Sequence, residues 1–198
     1  MQSKHKTDAE IENAIAELRG YWHRLWERLL GSRYTEKRQW VEEKFEHLIA
    51  CYSEPHRAYH GVLHIFYLID FFNRFRGEAN DPDAVELAIF LHDIIYNTDP
   101  NRPKEPTNEE ASGLYAQMLI LEAGLPAAFG ALVYRLIKVT EHHPEGAKTR
   151  DEMIICDLDW SPLGCSWERF VLNGHQIRYE YGQYDDQEFR KGRLIALS

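Results

Sequence analysis

The sequence predicts an all-α fold, a single domain of about eight helices. Two observations carry this. Apolar residues recur three and four positions apart through most of the chain. No stretch shows the period-two alternation of a half-buried strand. Ile11, Ile15, Leu18, Trp22, Leu25 and Leu29 make one apolar face, with Thr7 and Glu10 as a capping box at its start and Gly31 as its stop. Val41, Phe45 and Leu48 mark a second helix that ends before Pro55. A third is expected from about Arg57 to Arg76, with His60, His64, Tyr67 and Phe71 on one stripe. Asp81-Pro82 reads as a cap and a first-turn proline. The helix it opens carries Val85, Ala88, Ile89, His92 and Tyr96 on one side. Residues 98–107 hold three prolines and form a loop. Thr107 and Glu110 give another capping box, for a helix running to about Ala123 with Gly124 as its stop. Further helices are expected at 127–142, 150–160, 166–182 and 186–197, with a break at Ser161-Pro162-Leu163-Gly164.

Length and composition narrow the function. At 198 residues, 44% hydrophobic and 28% charged, the chain suits one domain with a sizeable core. The longest apolar runs (Ile65–Ile69, Ala88–Leu91, Met118–Leu121) are too short to span a bilayer. The N-terminus lacks the apolar core of a secretion signal. Cys51, Cys156 and Cys165 include no Cys-x-x-Cys pair and form no closed disulfide framework. The expectation is a reduced, cytoplasmic protein. A net charge of −9 argues against a nucleic-acid polymer as partner. Ten histidines point instead to metal or proton chemistry.

Three constellations carry that chemistry. His60 and His64, at i and i+4 of the expected helix, could meet one metal ion. His92-Asp93 lies inside the apolar run Ala88-Ile-Phe-Leu-His-Asp-Ile-Ile-Tyr96, where an ionised carboxylate demands a cation, an arginine or a metal as partner. Asp157-Leu158-Asp159 follows another apolar run, Met153-Ile154-Ile155.

Together, and in this order, these segments resemble the HD superfamily of metal-dependent phosphohydrolases. The likeness is nearest to a bacterial group whose substrate is poorly defined. The segments are Arg57-Ala-Tyr-His60-Gly-Val-Leu-His64-Ile, Phe90-Leu-His92-Asp93-Ile-Ile-Tyr96, Asn108-Glu109-Glu-Ala-Ser112, Thr140-Glu-His-His143, Asp157-Leu-Asp159-Trp-Ser-Pro-Leu-Gly164, Ile177-Arg178-Tyr-Glu180-Tyr181 and Gly192-Arg193. The resemblance implies an HD-type helical bundle spanning 1–198, with N-terminal helices at 8–52, a metal-binding core at about 53–165 and C-terminal helices at 166–198. It implies that His60, His92, Asp93 and one late aspartate bind a metal. Leu158-Asp159 fits the last ligand better, so Asp159 is preferred and Asp157 is the alternative. Asp93, Glu109, His64 and His143 are the expected orienting and proton-carrying groups. Trp160, Pro162 and Gly113 depart from the group's pattern.

Mixed imidazole and carboxylate ligands suit Mn, Fe, Co, Ni or Zn, and Mg less well. The expected activity is hydrolysis of a small phosphate ester or nucleotide. Arg57, Arg178 and Arg193 are the candidate phosphate partners, with Lys138 behind them. Tyr59, Tyr96, Trp160 and Tyr181 are candidates to stack a base. The expected partner is a small phosphorylated substrate, with a homodimer allowed and no membrane. The alternatives are a di-iron oxygenase type enzyme on the same scaffold, or a catalytically silent ligand-binding module.

Overall fold

The computed structural model describes residues 8–141 and 146–196. Its order is α1 (Asp8–Leu30), α2 (Tyr34–Tyr52), α3 (Val62–Phe75), α4 (Pro82–Leu91), α5 (Asn108–Glu122), α6 (Ala127–Lys138), α7 (Arg150–Trp160), α8 (Trp167–Glu180) and α9 (Asp186–Ala196), joined by loops and short 3-10 turns. No strand occurs among the described residues, so the all-α prediction holds. Most stop signals act as read. Gly31 and Gly124 take positive φ, at 56° and 75°, where a side chain would be strained. Asp81 caps α4 by accepting the Ala84 amide, and Thr149 with Glu152 completes a full capping box on α7. The expected cap at Thr7 lies outside the described residues.

Helix α4 is the hub. Every residue from Ala84 to Leu91 is buried, and the helix packs against α6, α3, α7, α1 and α5. A helix apolar on all sides belongs at a core's centre. Around it Trp22 meets Phe90 edge-on at 5.1 Å and Trp26 at 5.5 Å. The one buried acid within it, Glu86, is satisfied by Arg28 at 2.5 Å and by Arg76, as a buried charge requires.

Two helix ends differ from the sequence reading, and both matter for the site. α3 begins at Val62, not near Arg57. Gly61 is extended there, and a side chain on it would press on the Tyr52 carbonyl at 3.2 Å. His60 therefore precedes the helix, and His64 sits in its first turn. α4 stops at Leu91, so His92 and Asp93 occupy the turn after it rather than its interior. Arg57 braces that turn: its buried guanidinium donates to the Asp93 carbonyl at 2.6 Å and the Ile94 carbonyl at 3.0 Å. The ladder itself gives way where the Asp93 amide donates to the Tyr52 hydroxyl at 3.3 Å and the Ile95 amide to Ser112 Oγ at 3.1 Å.

Candidate metal centre

Three helices deliver the centre. His64 comes from the first turn of α3, His92 from the end of α4, and Asp159 from the last turn of α7. Their ligating atoms lie within 4.8 Å of one another. His64 Nε2 is 3.3 Å from His92 Nε2 and 3.4 Å from Asp159 Oδ1. His92 Nε2 is 3.6 Å from Asp159 Oδ1 and 3.2 Å from Asp93 Oδ2. His64 Nε2 is 3.8 Å from Asp93 Oδ2. An ion with bonds of about 2.0–2.2 Å needs its ligands roughly 3–3.5 Å apart, so these edges suit one cation.

The tautomer of His92 favours the same use. Its Nδ1 donates to the Ile89 carbonyl at 2.9 Å. A carbonyl only accepts, so that nitrogen carries the proton and Nε2 presents a lone pair to the cluster. With both rings neutral, His64 Nε2 and His92 Nε2 beside two carboxylates make a donor set complementary to a metal ion.

Charge is concentrated here. Burial pushes the Asp159 carboxyl up, but the His64 and His92 rings outweigh it and hold it well below the carboxylate range. Burial likewise opposes ionisation of Asp93, and the adjacent His92 ring overcomes it. His92 is pushed down by burial and carried well above its ordinary value by Asp93 and Asp159. Burial dominates at His64 and lowers it.

His60 stands beside this group rather than in it. Its ring centroid is 5.6 Å from that of His64. Its Nδ1 donates to Glu180 Oε2 at 2.7 Å. Glu180 Oε1 also accepts the Tyr59 and His60 amides at 2.7 and 2.9 Å, and the Tyr96 hydroxyl donates to Oε2 at 3.2 Å. Burial pulls the His60 ring down, but the Glu180 carboxylate overrides it and raises it. With Nδ1 committed, Nε2 is the nitrogen left to the cavity that His60 lines.

That cavity is about 510 Å³. Asp93, Glu109, Asp159 and Arg193 line it, and so do the four aromatics singled out from sequence: Tyr59, Tyr96, Trp160 and Tyr181. Burial raises the Glu109 carboxyl above its ordinary value.

Other expected residues are placed elsewhere. Asp157 is exposed, one helix face away from Asp159. The Arg57 side chain is buried under the turn it clamps, bonded also to Glu54 at 2.9 Å, and presents no face to a substrate. Arg178 is spent on the Tyr181 and Tyr184 carbonyls and on Asp186, where it fixes the α8–α9 turn. Lys138 pairs with Glu110 and Glu141. Arg193 alone of the candidate cations lines the cavity. His143 lies outside the described residues.

Sequence reading gave Glu180 no role. One signal was present: an acid in the last turn of a helix opposes the macrodipole and needs another reason to be there. No protein-family model matches the chain, and neither does any curated protein or solved structure.

Proposed function

We propose that the protein is a metal-dependent phosphohydrolase that cleaves a small phosphate ester by attack of water. The observation that carries this reading is the convergence of His64, His92 and Asp159, with Asp93 beside them, at one-ion spacing. The order of segments resembling the HD superfamily supports the same reading. His64, His92, Asp159 and Asp93 would hold the cation, with Mn, Fe, Co, Ni or Zn favoured by imidazole ligands. When bound, a divalent cation supplies Lewis-acid polarisation of the phosphoryl oxygen and lowers the pKa of water towards about 7.

The chain's own groups supply the proton traffic. His60, oriented by Glu180 through Nδ1, donates a proton from Nε2 to the departing ester oxygen. Glu109, whose buried carboxyl is more basic than usual, receives the proton of the attacking water. Arg193 meets negative charge on the phosphoryl oxygens.

The test is elemental analysis with a phosphoester assay. Purified protein should carry about one Mn, Fe, Co, Ni or Zn per chain and hydrolyse phosphoesters. His92→Ala and Asp159→Ala should lose both metal and turnover, while Asp157→Ala keeps both. Full metal content in Asp159→Ala would remove the ligand assignment.

A further inference from the structure

Arg57 carries a charge in an expensive place. Its side chain is 1% exposed, and a guanidinium out of water is costly unless it is paired and hydrogen-bonded. The acid that meets it, Glu54, is itself 44% exposed and takes only the Nε proton, at 2.9 Å. The two terminal nitrogens go to backbone. Nη1 donates to the Asp93 carbonyl at 2.6 Å and reaches the His60 carbonyl at a longer 3.5 Å. Nη2 donates to the Ile94 carbonyl at 3.0 Å. One rigid fork thus touches both the segment that carries His60 and the turn that carries Asp93.

The two rings beside it extend that bracket. The guanidinium carbon is 5.1 Å from the centre of the Tyr52 ring and 5.5 Å from that of Tyr96, inside cation–π range. The Tyr52 hydroxyl accepts the Asp93 amide at 3.3 Å and donates to the Phe90 carbonyl at 3.1 Å. The Tyr96 hydroxyl donates to Glu180 Oε2, and its ring centre is 4.4 Å from that of His60. Tyr52 therefore carries the bracket to the Asp93 turn, and Tyr96 carries it to the His60–Glu180 pair.

Fold stability alone does not account for the choice of residue. Apolar side chains of similar volume often replace a buried ion pair with no loss of stability. A lysine would bring the charge without the planar fork that reaches several acceptors at once. What the fork adds is a fixed spacing between two backbone segments. One of them bears the proposed proton donor, and the other bears a carboxylate whose Oδ2 is 3.2 Å from His92 Nε2.

We infer that Arg57 is a positioning residue that sets the spacing between His60 and the Asp93 carboxylate. It touches no substrate and acts through the two segments it joins. This rests on the hydrolysis proposed above.

The experiment compares Arg57→Lys and Arg57→Met with the unaltered full chain. Mn(II) affinity is read by titrating the metal-free protein, and turnover on an alkyl phosphoester and on p-nitrophenyl phosphate. Circular dichroism and Tm identify a variant that fails to fold, and the other variant then decides. Each folded variant should bind Mn(II) about tenfold more weakly, because the Asp93 turn loosens. At saturating Mn(II), kcat on the alkyl ester should fall about a hundredfold with KM little changed. The fall on the nitrophenyl ester should be smaller, because its oxygen departs without a proton from His60. A residue that served the fold alone would lower Tm and leave Mn(II) affinity and the ratio of the two turnovers unmoved, and that result overturns the inference while hydrolysis stands. If the unaltered chain binds Mn(II) and cleaves neither ester, hydrolysis falls, and with it the spacing of a proton donor.

Discussion

Glu180 reaches from the end of α8 to hold both amides and the ring of the segment carrying His60. Its carboxyl feels burial first, which raises it, but the hydrogen bonds from His60 and Tyr59 leave it below the ordinary value of 4.5. A depressed acid stabilises the fold above its ordinary value, and that contribution is lost as pH falls towards the folded value. Glu180→Gln should therefore flatten the acid limb of the stability curve, read as Tm from neutral to acid pH. The same variant should lower kcat by about a hundredfold while metal content stays full, because it loosens His60 and no ligand. His60→Ala should show a comparable loss with an alkyl phosphoester and a much smaller one with a nitrophenyl ester, whose oxygen departs without a proton. Equal losses on both would remove His60 as the proton donor. At this scale the sequence was informative where burial made a polar residue expensive. His92 and Asp93 lie inside an apolar run, and that context singled them out, whereas Asp159 was preferred to Asp157 on the family resemblance. Glu180 and Arg57 gave no such signal, because their partners lie far off in sequence, and an arginine's usual place is the surface.

Among the elements, type and order were legible and two ends were not. The three-and-four spacing through 57–76 runs without interruption, yet α3 starts only at Val62, after an extended Gly61 where a Cβ would lie 3.2 Å from the Tyr52 carbonyl. The apolar run 84–96 likewise reads as one helix, but past Leu91 its amides and carbonyls go to tertiary partners, Tyr52, Arg57 and Ser112. Periodicity records which face is buried and says little about where distant partners take over the backbone's hydrogen bonds. The α5–α6 contact gives a prediction at this scale. Gly113 is buried, and a Cβ there would lie 2.7 Å from the Tyr134 ring. Gly113→Ala should cost about 2 kcal/mol through overpacking, lowering Tm by roughly 4–8 °C for a chain of this size. Adding Tyr134→Ala should recover part of the loss. An unchanged Tm in the single variant would mean that the ring moves aside freely.

For the molecule as a whole, the centre ties three parts of the chain, α3, α4 and α7, around one point. A cation bound to the folded state alone adds stability by mass action, about 2.7 kcal/mol at a hundredfold excess over Kd. Saturating Mn(II) or Zn(II) should raise Tm by roughly 5–11 °C, and a chelator should reverse it. His92→Ala should show no such rise. The net charge of −9 first argued only against nucleic acid, and the carboxylates of the site now account for part of it. The position of Glu180 in the chain has a consequence for biosynthesis. At translation speeds of about 5–20 residues per second, Asp159 emerges from the ribosome on the order of seconds before Glu180 does. The cluster of His64, His92 and Asp159 can thus assemble in a nascent chain while the His60 segment still lacks the carboxylate that holds it.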